Sequence, residues 1–226
     1  MIYFDNVTKE YRDGTPALEE VTLSIAPKEF VSIVGQSGAG KTTLVKTLLA
    51  ELKPSSGSVF FESVDIHTLP STSLHHYRRK LGTVFQDFRL IPNKTAYENI
   101  AFAMEAAGRP DDEIESDVPY ILDLVDLSDK AEHFPWQMSG GEQQRVAIGR
   151  AIVNQPDVII ADEPTGNLDP VNTFEIMEIL KKINELGTTI ILTTHNKGVV
   201  DAMKKRVITM EKGRVVRDDP NGHYIL

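Results

Sequence analysis

Cysteine is absent from the 226 residues, so neither a disulfide framework nor a thiolate metal site can form, a condition compatible with a reducing cytoplasm. Long apolar runs are missing too. None approaches the roughly 18 to 20 residues needed to cross a bilayer, so no direct membrane insertion is expected and any membrane role must come through a partner. The start, Met1-Ile2-Tyr3-Phe4-Asp5-Asn6-Val7, lacks the basic segment and apolar stretch of a secretory signal. Positive charge is in deficit: 24 Lys and Arg stand against 33 Asp and Glu, giving a formal net charge of -9. That balance argues against a nucleic-acid partner gripped mainly through its phosphates, and none is expected. No internal repeat and no low-complexity linker interrupts the chain. What is there is an ordinary globular composition, 41% hydrophobic and 25% charged, on a chain long enough to bury a substantial core.

The most informative stretch is Gly35-Gln36-Ser37-Gly38-Ala39-Gly40-Lys41-Thr42-Thr43, which fits G-x-x-x-x-G-K-[ST] and directly follows the apolar run Phe30 to Val34. Glycines let the backbone fold tightly enough for several N–H groups to converge on phosphate oxygens, and the helix starting near Lys41 adds its positive dipole end. In such a cradle Lys41 bridges β- and γ-phosphate oxygens and Thr42 puts its hydroxyl on Mg2+. A Gly/Ser turn between strand and helix is the plainer alternative, and the strand-loop-helix context is what weighs against it.

Apolar runs bounded by turn residues predict strands at Ile2–Val7, Leu18–Ile25, Phe30–Val34, Gly57–Phe61, Thr83–Phe85, Val158–Asp162, Thr188–Thr193 and Arg206–Met210. Helical patterns run over Lys41–Leu52, Val171–Leu186 and Lys197–Lys204. The alternation predicts an α/β fold with a mostly parallel core sheet, whose ligand sits beyond the carboxyl ends of the strands. From about Gln86 to Gln155 the strand signal fades and helices are expected at Ala96–Ala107, Asp111–Val125 and Gly140–Asn154. The expectation is one domain over 1–226, with an α/β core from 1–85 and 156–226 and a helical subdomain at 86–155. The acidic cluster Asp111, Asp112, Glu113, Glu115 and Asp117 opens its helix and reads as a solvated helix start rather than a metal site.

Val158-Ile159-Ile160-Ala161-Asp162-Glu163 is an apolar strand delivering two adjacent carboxylates to the edge of the expected pocket. Because side chains alternate along a strand, the two can take different tasks: Asp162 a direct or water-mediated Mg2+ contact, Glu163 the polarising of an attacking water. Alone, such a pair is commonplace; a complete phosphate loop in the same chain gives it catalytic meaning. Ser139-Gly140-Gly141-Glu142 opens another helix, with free N–H groups that can face an anion and with Ser139 and Glu142 spaced as a capping box. Both roles can hold at once.

Taken in order, Gly35 to Thr43, Gln86, Ser139 to Gln143, Asp162-Glu163 and His195 resemble the ATP-binding-cassette (ABC) ATPases over essentially the whole chain. The resemblance implies a P-loop NTPase fold with an antiparallel β portion beside the core sheet, and ATP with Mg2+ as ligands. It further implies that Tyr11 stacks on adenine, although a lone aromatic could equally pack in the core. Gln86 matches the glutamine that senses Mg2+ and joins the core to the helical subdomain, Gly166-Asn167-Leu168-Asp169 the loop at the dimer interface, and His195 the histidine that contacts the γ-phosphate. The other histidines, among them His75 and His76, are expected at the surface. Met138 stands where the signature usually begins with Leu, an apolar exchange of little consequence. Since the chain carries a single cassette, the family geometry implies a homodimer, or a heterodimer with a related chain, formed on ATP binding with Ser139 to Glu142 of one copy against the nucleotide of the other.

A finer resemblance, carried by Phe85 to Ile100 and by Ala161 to Pro170, is to the cell-division branch of that family. It implies an FtsX-like integral membrane protein as partner, a peripheral place on the cytoplasmic face of the cell membrane, and control of cell-wall hydrolases. Phe88, Leu90 and Ile91 with Arg89 suit a groove for a short helix of the membrane subunit, or else pack the subdomain joint. Two other functions stay open at this point: the ATPase of a lipoprotein or small-molecule transporter, and an ATP-gated dimerising module with incidental turnover.

Overall fold

The computed structural model describes residues 1–220 and 222. A four-stranded antiparallel sheet has the order β2 (Pro16–Ile25), β1 (Ile2–Glu10), β4 (Ser56–Phe61), β5 (Val64–Asp65). A second sheet has the order β10 (Arg214–Asp219), β9 (Arg206–Glu211), β3 (Phe30–Val34), β8 (Thr189–Thr194), β7 (Val158–Asp162), β6 (Leu81–Phe85). Its pairings are parallel from β9 through to β6, and only β10 runs antiparallel.

Strands β3 and β8 are buried along their whole length, which is why they carry consecutive apolar residues, such as Ile190-Ile191-Leu192, rather than alternating ones. Their residues divide between two cores by the period of two. Val31, Ile33, Val158, Ile160 and Ile191 face the antiparallel sheet and helix α1 (Lys41–Leu48). Ile159, Ala161, Ile190 and Leu192 face the other way, onto a core shared with α3 (Ala96–Ala107), α4 (Asp111–Leu124), α5 (Gly140–Ile152) and α6 (Pro170–Glu185). Helix α2 (Ser71–Arg79) precedes β6, and α7 (Lys197–Met203) follows β8.

Several elements depart from the sequence expectation for identifiable reasons. Strand β1 continues past Val7 to Glu10 because register shifts on either side of Val7 reset its alternation: Asn6 in β1 and Glu20 in β2 each take a positive φ of 49°. The N–H groups so displaced are satisfied by threonines, Asn6 N by Thr22 Oγ1 at 3.1 Å and Glu20 N by Thr8 Oγ1 at 3.1 Å. Helix α1 stops at Leu48, short of Leu52, and Ala50 turns left-handed at φ 51°. Helix α2 gave no periodic signal, since Tyr77 is its one buried residue. Strand β10 was missed because Arg214 to Asp219 is charged; as an edge strand it is held by ion pairs, Asp218 accepting from Arg206 Nε at 2.7 Å and Glu19 from Arg214 Nε at 2.8 Å.

The parallel strands set the functional geometry. Register pairs Val34 with Thr194, Thr193 with Asp162, and Asp162 with Phe85, so the strand ends lie side by side. The residues that follow those ends, Gly35, His195, Glu163 and Gln86, therefore leave the sheet along one edge in that spatial order.

Candidate nucleotide site

A cleft of about 730 Å3 opens at that edge, lined by Tyr11, Thr15, Pro16, Ala17, the continuous stretch Gln36 to Thr43, Gln86, Glu163 and His195. No motif points to Thr15, Pro16 and Ala17, which reach the cleft from the end of the β1–β2 turn and the start of β2. Gly40 caps α1 with φ 101°, and a Cβ there would sit 2.6 Å from the Ala17 carbonyl oxygen, so both conformation and space demand glycine. Helix α1 has no side-chain cap, and its first N–H groups are left for an anion. Lys41 is buried beneath the loop, where its ammonium donates to the carbonyls of Gly35 at 2.7 Å and Gln36 at 3.2 Å. Thr42, the second residue of α1, is exposed.

Glu163 lies just beyond β7 in a left-handed conformation, φ 51°, which breaks the strand alternation and turns its side chain toward the cleft. Its main-chain N–H is fixed by the Thr193 carbonyl at 3.0 Å. Glu163 Oε1 stands 3.0 Å from His195 Nδ1 and 3.8 Å from Lys41 Nζ, and the His195 N–H points at Oε2 from 3.4 Å. One carboxylate thus sits between the cation of the phosphate loop and a solvent-facing imidazole. A carboxylate so placed can accept a proton at the edge of an anion cradle.

Asp162 is the last residue of β7 and half-buried; Thr193 Oγ1 donates to its Oδ1. It stands at the strand end behind Glu163 and does not line the cleft. Among the described residues no three His, Asp or Glu side chains gather to hold an ion by themselves. Hydroxyl, amide and carboxylate oxygens from Thr42, Gln86 and Asp162 fit Mg2+, a hard ion that is ordinarily held by one or two protein oxygens together with substrate phosphates and water.

Tyr11 stands at the mouth of the cleft, partly exposed, its hydroxyl 3.2 Å from Thr43 Oγ1. That leaves a ring face for a planar base instead of a place in the core. Ser139 and Glu142 form the anticipated capping box: Ser139 Oγ accepts from Glu142 N at 3.2 Å, and Glu142 Oε2 accepts from Ser139 N at 2.7 Å. The second bond holds the Glu142 carboxyl below its ordinary range. Ser139, Gly140, Gly141 and Glu142 are not part of the cleft of their own chain.

The segment after Gln86 is less exposed than its composition suggested. Phe88, Leu90 and Ile91 are half-buried, and Leu90 packs against the core shared by the helices. Phe88 and Arg89 are both left-handed, at φ 56° and 49°, and Arg150 of α5 clamps them by donating to the carbonyls of Phe88 at 3.0 Å and Arg89 at 2.6 Å. Burial lowers the Arg150 pKa. Nothing in the sequence marked Arg150. The expectation that the remaining histidines lie at the surface is met by His75 and His76; His67 and His133 are half-buried, and His223 lies outside the described residues. His67 sits behind the β4–β5 turn, where burial lowers its pKa.

With this geometry in hand, the chain's likenesses can be stated. The family profile described as ABC transporter matches residues 18–166. The cell division ATP-binding protein FtsE of Bacillus subtilis is 50% identical over 224 residues, 99% of this chain and 98% of the relative. The protein of the same name from Escherichia coli is 41% identical over 215 residues, 95% of this chain and 97% of the relative. Among solved structures, a dimeric post-hydrolysis state of the ATP-binding cassette MJ0796 bound to ADP and Pi is 38% identical, with a TM-score of 0.89 and coverage of 99% of this chain and 100% of that one.

Proposed function

The chain belongs to the ABC transporter family and is an ATP-hydrolysing cassette, and from that premise we propose that it is the ATPase subunit of an FtsEX-like membrane complex, coupling ATP cycling to cell division and to control of cell-wall hydrolases. The observation that carries this reading is the near full-length likeness to cell-division ATP-binding proteins, over 99% and 95% of this chain. The partner is an FtsX-like integral membrane protein. Docking on that partner puts the chain at a peripheral place on the cytoplasmic face; no helix among the described residues is long and apolar enough to cross a membrane.

In this reading Gly35, Gln36, Ser37, Gly38, Ala39, Gly40, Lys41, Thr42 and Thr43 receive the phosphates, with Lys41 exchanging its carbonyl partners for phosphate oxygens. Tyr11 stacks on the adenine. Glu163 accepts a proton from the attacking water, helped by His195, which holds the carboxylate at 3.0 Å and reaches the γ-phosphate. Thr42 and Gln86, with Asp162 directly or through a water, would hold Mg2+, which would neutralise charge on the transferred phosphoryl group. Ser139, Gly140, Gly141 and Glu142 complete the site from a second copy of the chain, in a homodimer that forms on ATP binding. Their distance from the cleft of their own chain supports that arrangement, as do the dimeric cassettes among similar structures. We assign 86–155 to a helical signature subdomain and 1–85 with 156–226 to the nucleotide-binding core, a division supported by the lack of any described strand between Phe85 and Val158.

The test uses the Glu163→Gln chain as bait in detergent-solubilised membranes with Mg-ATP, the retained membrane proteins being identified by mass spectrometry. Recovery of an FtsX-like subunit is expected. Recovery of transporter subunits with a defined cargo would move the assignment to export.

A further inference from the structure

Gln86 enters the cleft from the end of β6, and its side chain is exposed. A carboxamide so placed can present either its oxygen or its nitrogen, and only the oxygen can ligate a cation or accept from water. Its orientation is decided elsewhere. Asn167 Nδ2 donates to the main-chain carbonyl of Gln86 at 3.2 Å, while Asn167 Oδ1 accepts from Gln86 Nε2 at 3.1 Å. The first of these bonds has an unambiguous acceptor, so it fixes which end of the Asn167 amide is nitrogen. The oxygen of Asn167 then faces the Gln86 side chain, which must offer its NH2. Gln86 Oε1 is left as the free atom.

Gly166 supplies the room for this clasp. A Cβ there would lie 2.8 Å from Gln86 Nε2 and 2.9 Å from Cδ, so the Gln86 amide would have to move away from its place in the clasp. The same loop begins at Glu163, whose carbonyl accepts from Gly166 N at 3.1 Å, so the clasp ties Gln86 to the carboxylate loop across 81 positions of sequence.

We propose that Asn167 is a positioning residue for the hydrolytic site: its two-point clasp on Gln86 turns the Gln86 carboxamide so that Oε1 serves the cleft, and couples the exit of β6 to the loop that carries Glu163. The proposal rests on the ATPase reading of the cleft. Its role is exerted through Gln86, and Asn167 itself touches no reacting atom.

The experiment uses the full chain with Asn167→Ala, Asn167→Asp, Gln86→Ala and the double variant Asn167→Ala/Gln86→Ala. The side-chain amide of Gln86, identified in 15N–1H spectra by its loss in Gln86→Ala, is expected to exchange slowly in the nucleotide-free parent and like a free glutamine in Asn167→Ala. Turnover is expected to fall about five- to tenfold in Asn167→Ala with KM for ATP within about twofold, as for the loss of one or two net hydrogen bonds felt after binding. In the Gln86→Ala background the same change should cost nothing further. Asn167→Asp keeps the acceptor but sets a carboxylate oxygen against the Gln86 carbonyl, and should fall as far as Asn167→Ala. Additive losses in the double variant, parent-like turnover in Asn167→Asp, or a Gln86 amide that exchanges freely in the parent would each overturn the proposal. The exchange readout needs no turnover, so a failure of the clasp is distinguishable from a failure of the ATPase reading, which Glu163→Gln tests in parallel.

Discussion

Replacing Arg150 by methionine keeps the aliphatic stem packed in α5 and removes the guanidinium that holds the turn after Gln86. Two hydrogen bonds disappear, to the carbonyls of Arg89 at 2.6 Å and Phe88 at 3.0 Å. Bonds to a charged group are worth about 1.5–3 kcal/mol each, and these two start from about 3–6 kcal/mol. Two effects offset that loss. Arg89 is exposed, so water can satisfy its carbonyl, and the left-handed pair Phe88 and Arg89 regains part of the roughly 1–2 kcal/mol per residue that its conformation costs. The net expectation is a destabilisation of about 2–4 kcal/mol. For a chain of this length each kcal/mol lowers Tm by about 2–4 °C, so a fall of roughly 4–16 °C follows. Guanidinium unfolding of the nucleotide-free chain measures the free energy directly. Arg150→Lys keeps a charge but loses the fork, and should recover about half of the deficit. If Arg150→Met unfolds within about 0.5 kcal/mol of the parent, the clamp contributes no more than an ordinary surface contact and the account of this turn is wrong.

Two further outcomes are expected. Tyr11→Phe keeps the ring and should bind a fluorescent ATP analogue within about twofold of the parent, whereas Tyr11→Ala should lose about 1–3 kcal/mol of stacking, roughly 5- to 150-fold in Kd; equal affinities for all three would place Tyr11 outside the base site. Glu142 has its carboxyl held below the ordinary 4.5 by the Ser139 N–H, so its contribution is fully present above that value and disappears as pH falls through the lowered folded value. Unfolding midpoints of Glu142→Gln should therefore decline less steeply than those of the parent on the acid side of pH 4.5, and parallel curves would deny the capping box its role.

The sequence made the parallel sheet legible because its central strands are buried on both faces, so Phe30 to Val34, interrupted only by Ser32, and Val158 to Ala161 read as apolar runs. It hid β10 and α2 for the opposite reason. The first is a charged edge strand and the second buries a single side chain, leaving no hydrophobic period to read. Motif residues that follow strand ends were visible as local patterns, and the register of the sheet explains why Gly35, His195, Glu163 and Gln86 share one edge. What stayed hidden depends on pairs remote in the chain. The Asn167 clasp spans 81 residues and the Arg150 clamp 61 and 62, and neither leaves a periodic trace. For Leu90 the sequence left a docking groove and the subdomain joint both open. Its packing against the helical core, instead of a place in an open groove, needed the fold.

The central statement, that Glu163 polarises the attacking water in a site closed by a second copy, is tested most directly by Glu163→Gln with Mg-ATP, following turnover and sedimentation together. The substitution keeps the shape of the side chain and the phosphate cradle while removing the base that stands 3.0 Å from His195. Turnover should fall by about 100-fold or more while ATP still binds and the chain accumulates as a dimer. Turnover equal to that of the parent, in a chain that stays monomeric with ATP bound, would contradict the account.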